Sequence, residues 1–159
     1  MKNNLLKKQN SIIRILDKKE DKILIIDCIK KTMPVWCDKS FLCDYEICFE
    51  EELGFAIREE ETLSAADKRV MHERYTLIAG ILPFMSDEKS RSMIISKVSE
   101  QYKVSKQTIR KYLCLYLIYQ DMSALVPNRN EHKRELTKDE KNIRLRKLVE
   151  QKLKGRIEI

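Results

Sequence analysis

The chain has 159 residues, which is enough for one domain of ordinary size or two small ones. Hydrophobic residues make up 43% and charged residues 36%, so a buried core is possible while much of the surface must be solvated or bind charge. The formal net charge of +7 favours polyanionic partners, nucleic acid first among them, and no apolar run reaches the ~18 residues of a membrane span.

Residues 1–62 are predicted to hold a small β-hairpin region followed by a short acidic helix. Within this range, residues 1–10 are predicted to be a mobile basic leader that precedes the hairpin. Two β-branched runs in residues 11–28 flank the charged connector DKKED, a pattern typical of a β-hairpin. The acidic helix is predicted over residues 44–53 and ends at Gly54, because glycine accepts the left-handed conformation that often follows a helix.

Residues 63–126 are predicted to form a helix-turn-helix domain of three helices. The helical segments are residues 63–82, 87–102 and 106–119. Each has a serine at its start that can cap the first turn: Ser64, Ser86 and Ser105. Polar residues 123–135 indicate a linker, and residues 127–159 are predicted to be linker followed by a basic C-terminal helix. The expected fold is therefore mainly α. Because a small β-hairpin region precedes the three-helix domain, the chain as a whole is expected to be α+β.

The apolar spacing within residues 87–119 predicts the helix-turn-helix. Five residues match its usual core pattern: Val98, Tyr102, Val104, Ile109 and Tyr112. Ser99 supplies the small residue where the two helices cross. Lys103 occupies the turn position that often holds glycine, and a left-handed conformation there costs a non-glycine residue roughly 1 kcal/mol.

The outward face of the second helix of this motif is the predicted DNA-binding surface. Its residues are Ser105, Lys106, Gln107, Thr108, Arg110 and Lys111. Residues 102–120 contain four bases and no acid. Gln107 and Arg110 are predicted to read bases, because glutamine can pair with adenine and arginine with guanine. Lys106, Lys111 and Thr108 are predicted to contact phosphates. The capping serine lies at the positive helix end, which suits a phosphate. The alternatives are a solvated basic face on a core helix and a helix-turn-helix that contacts protein.

No catalytic centre, metal or cofactor is predicted. Cys28, Cys37, Cys43 and Cys48 are spaced too widely and unevenly for the usual zinc pairs, which favours free thiols over zinc. Five cysteines and an N-terminus without an apolar secretory core indicate a reducing, cytoplasmic compartment. The acids within residues 49–61 are predicted to be solvated, since an acidic helix and loop explain them more simply than a catalytic metal cluster.

Three segments of the chain carry a family resemblance. They are RILDKKEDKILIID, LSAADKRVMHERYTLIAGIL and KVSKQTIRKYLCLYLIYQDMSALVP. In that order they resemble the opening strands, the helix before the helix-turn-helix, and the recognition helix with its A-L-x-P tail in TnsB-like transposase subunits, relatives of the Mu transposase in the DDE recombinase superfamily. The resemblance covers about residues 12–144, and the third segment is its most specific part.

The resemblance implies binding to repeated sites at the ends of a mobile element, as an oligomer on DNA, together with other transposase subunits. In this family, cutting and joining are performed by a downstream RNase H-like domain with three metal-binding acids, and no residue of this chain is assigned to that triad. We therefore expect sequence-specific binding of double-stranded DNA without catalysis and without membrane contact. The alternatives are a helix-turn-helix transcriptional regulator and a protein-interaction adaptor that does not bind DNA.

Overall fold

An antiparallel sheet of five strands forms the N-terminal part of the protein. The computed structural model describes residues 4–127. The strands are β1 (Leu5–Lys8), β2 (Ser11–Lys19), β3 (Lys22–Asp27), β4 (Val35–Asp38) and β5 (Glu46–Ile47). Their order in the sheet is β4-β3-β2-β1-β5, so each strand except β5 lies beside its neighbour in the chain.

The predicted hairpin is confirmed as the β2–β3 pair, although its connector is shorter than expected. The register runs from Ile13 opposite Asp27 to Lys19 opposite Lys22. The first three residues of the charged DKKED segment therefore continue β2, and only the last two form the turn. The first of these, Glu20, has a φ of 54°, the left-handed conformation that tight hairpin turns require.

The expectation of a mainly α fold with only a small hairpin is wrong, because three further strands enlarge the sheet and the protein is α+β. Leu5–Lys8 pairs with β2 inside the segment expected to be a leader, and its Leu5 side chain is completely buried. Val35–Asp38 pairs with β3, and Glu46–Ile47 pairs with β1. These strands have four residues or fewer, so their stability comes from partners elsewhere in the chain and not from a local pattern.

The predicted acidic helix over residues 44–53 is also wrong. Its first part is β5, and the Cys48 N–H donates to the carbonyl of Leu5, which keeps this part extended. Glu50–Leu53 forms only a 3₁₀ turn. Gly54 ends this turn with a φ of 71°, so the left-handed conformation expected at this glycine is present.

The three predicted helices are confirmed as α1 (Ala65–Ala79), α2 (Glu88–Tyr102) and α3 (Lys106–Tyr119). Ser64 caps α1 by accepting a hydrogen bond from the Asp67 N–H. The predicted N-cap of α2 is wrong: Asp87 occupies that position, and the Ser86 hydroxyl donates instead to Asp17 on β2. Thus Ser86 connects the helices to the sheet.

One hydrophobic core lies between the sheet and the helices. Its fully buried side chains include Leu5, Ile26, Ile78, Ile81, Ile109, Leu113, Ile118 and Leu125. Segments 1–62 and 63–126 therefore contribute to the same core. On the opposite face of the sheet, Ile13, Ile23 and Ile25 are buried beneath partly buried residues that include Leu42 and Tyr45.

The prediction of a linker over residues 123–135 is wrong for residues 123–126, which pack against the rest of the protein. Met122–Leu125 forms a 3₁₀ turn, and the side chains of Leu125 and Val126 are buried in the core. The rest of the predicted linker and the basic C-terminal helix lie outside the described residues. Within residues 4–127, no helix is long and apolar enough to cross a membrane.

Candidate nucleic-acid interface

A three-residue turn joins α2 to α3 and closes on Ser99. Lys103 has φ 57° and ψ 39°, so the left-handed conformation expected at this turn position is confirmed. The backbone N–H groups of Lys103 and Val104 both donate to the Ser99 carbonyl. In return, the Ser99 hydroxyl donates to the Val104 carbonyl at 2.7 Å. Ser99 was expected only to be small where the helices cross, and its hydroxyl also ties the two sides of the turn together.

The predicted core pattern of the two helices is correct in part. Ile109 is fully buried, and Val98, Val104 and Tyr112 are partly buried against the core. The prediction that Tyr102 belongs to the core is wrong, because 44% of this residue is exposed. The buried residues of α2 are Arg91 and Ile95, both in its first half, and Tyr102 is its last residue. Leu113 of α3, which the pattern did not include, is fully buried.

The two sides of α3 differ in chemistry. One side is buried and consists of Ile109, Leu113, Cys114, Leu117 and Ile118. The predicted contact residues Lys106, Gln107, Arg110 and Lys111 are all exposed. Their spacing of one, three and one residues places them together on one side of the first two helical turns. The structure therefore brings these four side chains to one surface.

The other two predicted contact residues form the cap of α3. Ser105 accepts a hydrogen bond from the Thr108 N–H at 3.2 Å and donates its hydroxyl hydrogen to Thr108 Oγ1 at 2.8 Å. The Thr108 hydroxyl, which accepts this bond, keeps its own hydrogen for another acceptor. Ser105 thus acts first as a structural cap, whereas Thr108, which is partly buried beside the exposed lysines, retains a donor.

The electrostatics of this surface favour an anion. The sequence of α3 contains three bases and no carboxylate. All three bases lie in the first two turns, where the helix macrodipole is positive. Side-chain and backbone charge therefore have the same sign at this end of the helix.

Two arginines that were not predicted from the sequence hold α3 in place through contacts other than those of its exposed basic side. Arg14 of β2 is buried, and its Nε donates to the carbonyl of Ile118 at 2.7 Å. The signal in the sequence was an arginine in the isoleucine-rich run SIIRIL, two residues from Ile12 and Leu16 and therefore on the same face of the strand as these apolar residues. Arg74 of α1 lies 4.8 Å from the ring centroid of Tyr112 and donates to the Leu125 carbonyl. Arg74 thereby joins α3 to the tail that follows it.

The cysteines show features of structural thiols. Cys28, Cys48 and Cys114 are buried, and all five cysteines are free. Burial raises the pKa of Cys28 to about 12 and the pKa of Cys114 to about 11, so these two thiols stay protonated at neutral pH. In the described part of the chain, no group of three or more His, Cys, Asp or Glu side chains is placed to hold a metal ion.

No protein-family model and no curated protein matches the chain. The chemistry of the α3 surface and the resemblance in sequence to TnsB-like subunits are the two guides to a function.

Proposed function

We propose that the protein binds double-stranded DNA in a sequence-specific manner, with the first two turns of α3 in the major groove. One observation carries this proposal. The inner side of α3 is buried in the core, while its outer side exposes Lys106, Gln107, Arg110 and Lys111. A helix that serves only the core has no need of three bases and a glutamine on one side when its own sequence contains no carboxylate.

The residue types on this surface fit the two tasks of DNA recognition. The major groove is about 12 Å wide and admits an α-helix, so side chains of the first turns can reach base edges. Arg110 can donate two hydrogen bonds to guanine, and Gln107 can pair with adenine. Lys106 and Lys111 can neutralise phosphates and release counterions, and the remaining Thr108 donor suits a phosphate oxygen.

The resemblance in sequence supports a more specific role. We propose that the chain is the N-terminal part of a cytoplasmic TnsB-like transposase and recognises end repeats of a mobile element. Several copies then bind along the DNA and assemble with other transposase subunits, and this chain itself contributes no catalytic residue. A helix-turn-helix transcriptional regulator is the competing function, because the same surface would serve a single operator equally well.

The first experiment separates these functions by the arrangement of binding sites. A gel-shift compares duplex DNA from the ends of the mobile element with random duplex of the same length. The transposase role predicts several spaced sites on the end fragment, and a regulator predicts none there and a single operator elsewhere. If no duplex is bound even at low salt, the protein does not act on DNA, and a protein-interaction adaptor is the better description.

The second experiment tests the roles of individual side chains. Arg110→Ala is expected to lose roughly 1–3 kcal/mol on specific DNA and to relax one base position. Lys111→Ala is expected to weaken binding to all sequences alike and to flatten the salt dependence. Lys39→Ala removes an equal charge from an exposed position beside the sheet and is the matched control. Equal losses on specific and random DNA for both α3 variants would contradict the assigned roles.

A further inference from the structure

Arg14 connects the sheet to the C-terminal end of α3. Its side chain is only 1% exposed, and it has partners on every side. The Nε atom donates to the carbonyl of Ile118 at 2.7 Å, and Nη1 donates to Asn4 Oδ1 at 2.7 Å. The Nη2 atom donates to both carboxylate oxygens of Glu50, at 2.8 and 2.7 Å. The guanidinium thus joins β2, the segment before β1 and the acidic 3₁₀ turn to the proposed recognition helix.

The last turn of α3 needs such a partner. Its carbonyls have no N–H donor within the helix and must accept hydrogen bonds from other groups. Gln120 satisfies two of them, since its N–H donates to Tyr116 and its side-chain amide donates to Leu117, each at 2.7 Å. Arg14 satisfies Ile118, and its positive charge lies at the negative end of the helix dipole.

The geometry of this contact is restrictive. A guanidinium is planar, and its donors are fixed in direction, so Arg14 can bond to three groups at once only in one arrangement. Burial adds to this restriction, because a buried charge that loses its partners is strongly disfavoured. The end of α3 is therefore held at one position relative to the sheet.

A shift at this end of α3 is transmitted to the other end. The helix has 14 residues, so it spans about 20 Å, and a packed helix moves as a rigid body. Two-point hydrogen bonds from Arg110 or Gln107 to a base tolerate only a few tenths of an ångström. Lysine contacts to phosphates are less demanding, because the ammonium is a point charge on a flexible stem.

We propose that Arg14 is a positioning residue for DNA recognition, which sets the placement of α3 so that its base-reading side chains reach their partners. This inference rests on the proposed function, and it adds the N-terminal sheet to the determinants of sequence selectivity. Its consequence is specific: loss of Arg14 reduces discrimination between sequences more than it reduces binding to DNA in general.

The test compares two buried arginines. Arg91 is 7% exposed and donates to the carbonyls of Met85 and Pro34, so its hydrogen bonds hold the start of α2 and both go to residues outside α3. Arg14→Met and Arg91→Met are prepared in the full chain, and circular dichroism with thermal unfolding establishes a temperature at which each is folded. Affinities for a duplex selected by the wild-type protein and for a random duplex are then measured by fluorescence anisotropy at one salt concentration.

The ratio of the two affinities is the deciding quantity. For Arg14→Met we expect the ratio to fall about tenfold, the equivalent of one base contact, while affinity for random duplex stays within about twofold. For Arg91→Met we expect an unchanged ratio, although both variants lower the unfolding temperature. A folded Arg14→Met protein with an unchanged ratio overturns the inference, and so does an equal fall in both variants.

A milder variant decides the matter if Arg14→Met does not fold. Glu50→Gln changes an exposed side chain and leaves the bond from Arg14 to Ile118 possible, while it removes the charged partner that orients the guanidinium. We expect the ratio to fall about threefold with a moderate fall in unfolding temperature, because the glutamine amide oxygen can still accept a hydrogen bond from Nη2, and an unchanged ratio overturns the inference. A wild-type protein that binds no duplex refutes the proposed function itself, whereas wild-type binding with an unmoved ratio in the variants refutes only the role of Arg14.

Discussion

Replacing Lys103 with glycine is expected to stabilise the protein. Lys103 ends α2 with φ 57° and ψ 39°, and its side chain is exposed. The left-handed conformation costs an L-residue roughly 1–2 kcal/mol because its Cβ approaches the backbone, whereas glycine has no Cβ. The substitution therefore removes backbone strain from the turn between α2 and α3 and disturbs no core contact.

The net gain is smaller than the strain removed. Glycine also increases the conformational entropy of the unfolded chain, which opposes folding by roughly 0.4–1 kcal/mol. The difference leaves a stabilisation of roughly 0.5–1 kcal/mol. At the size dependence of a chain of this length, that gain raises the Tm by roughly 1–4 °C.

Urea unfolding followed by circular dichroism measures this gain, with Lys103→Ala as the matched control. The alanine variant loses the same charge and keeps a Cβ, so it remains strained. We expect the midpoint of Lys103→Gly to exceed that of Lys103→Ala, with no change in the slope of the transition. A glycine variant that is no more stable than the alanine variant would refute the argument from strain.

Leu113→Ala is expected to cost about 2–5 kcal/mol in urea unfolding because Leu113 is fully buried, whereas Met93→Ala, at a side chain 58% exposed, is expected to cost less than about 0.5 kcal/mol. Similar losses at both positions would contradict the placement of the core. Ser105→Ala is expected to cost about 1 kcal/mol through loss of the α3 cap, and Ser105→Asp, which can accept the same bond, is expected to restore most of it; an aspartate variant as unstable as the alanine variant would argue against capping. The hydrogen bond from Lys7 lowers the pKa of Glu52 to about 2, so the carboxylate contributes stability above the unfolded pKa of about 4.3 and loses this contribution as the pH falls towards 2. The difference in urea midpoint between the wild type and Glu52→Gln is therefore expected to shrink between about pH 5 and pH 2, and a constant difference over that range would be the contrary result.

The α2–α3 segment was predictable because its signals are local. Ser105 caps the helix that begins at the next residue, and its partner Thr108 lies only three residues away. Lys103 adopts the left-handed conformation, and its backbone N–H donates to the carbonyl of Ser99, only four residues earlier in the chain. The exposed basic side of α3 follows from the helical period, since apolar and basic residues separate to opposite sides of one helix.

The sheet and the burial of individual residues were less predictable. β1 and β5 pair with each other although they are about 40 residues apart in the chain, and β5 contains only two residues. Tyr102 matches the core pattern in sequence, yet it lies at the exposed end of α2, while Leu113 fills the interior. Which residue of an apolar stripe is buried depends on where the neighbouring element ends, and a local pattern does not contain that information.

The sequence by itself determined the three helices, the left-handed turn between α2 and α3, and the basic side that we propose binds DNA. Only the tertiary structure decided the size of the sheet, the identity of the core residues and the buried contacts of Arg14. The physical reason is the range of the interactions. Helix caps and helical periodicity act within a few residues, whereas the bond from Arg14 to Ile118 joins positions 104 residues apart and forms only after the sheet and the helices share one core.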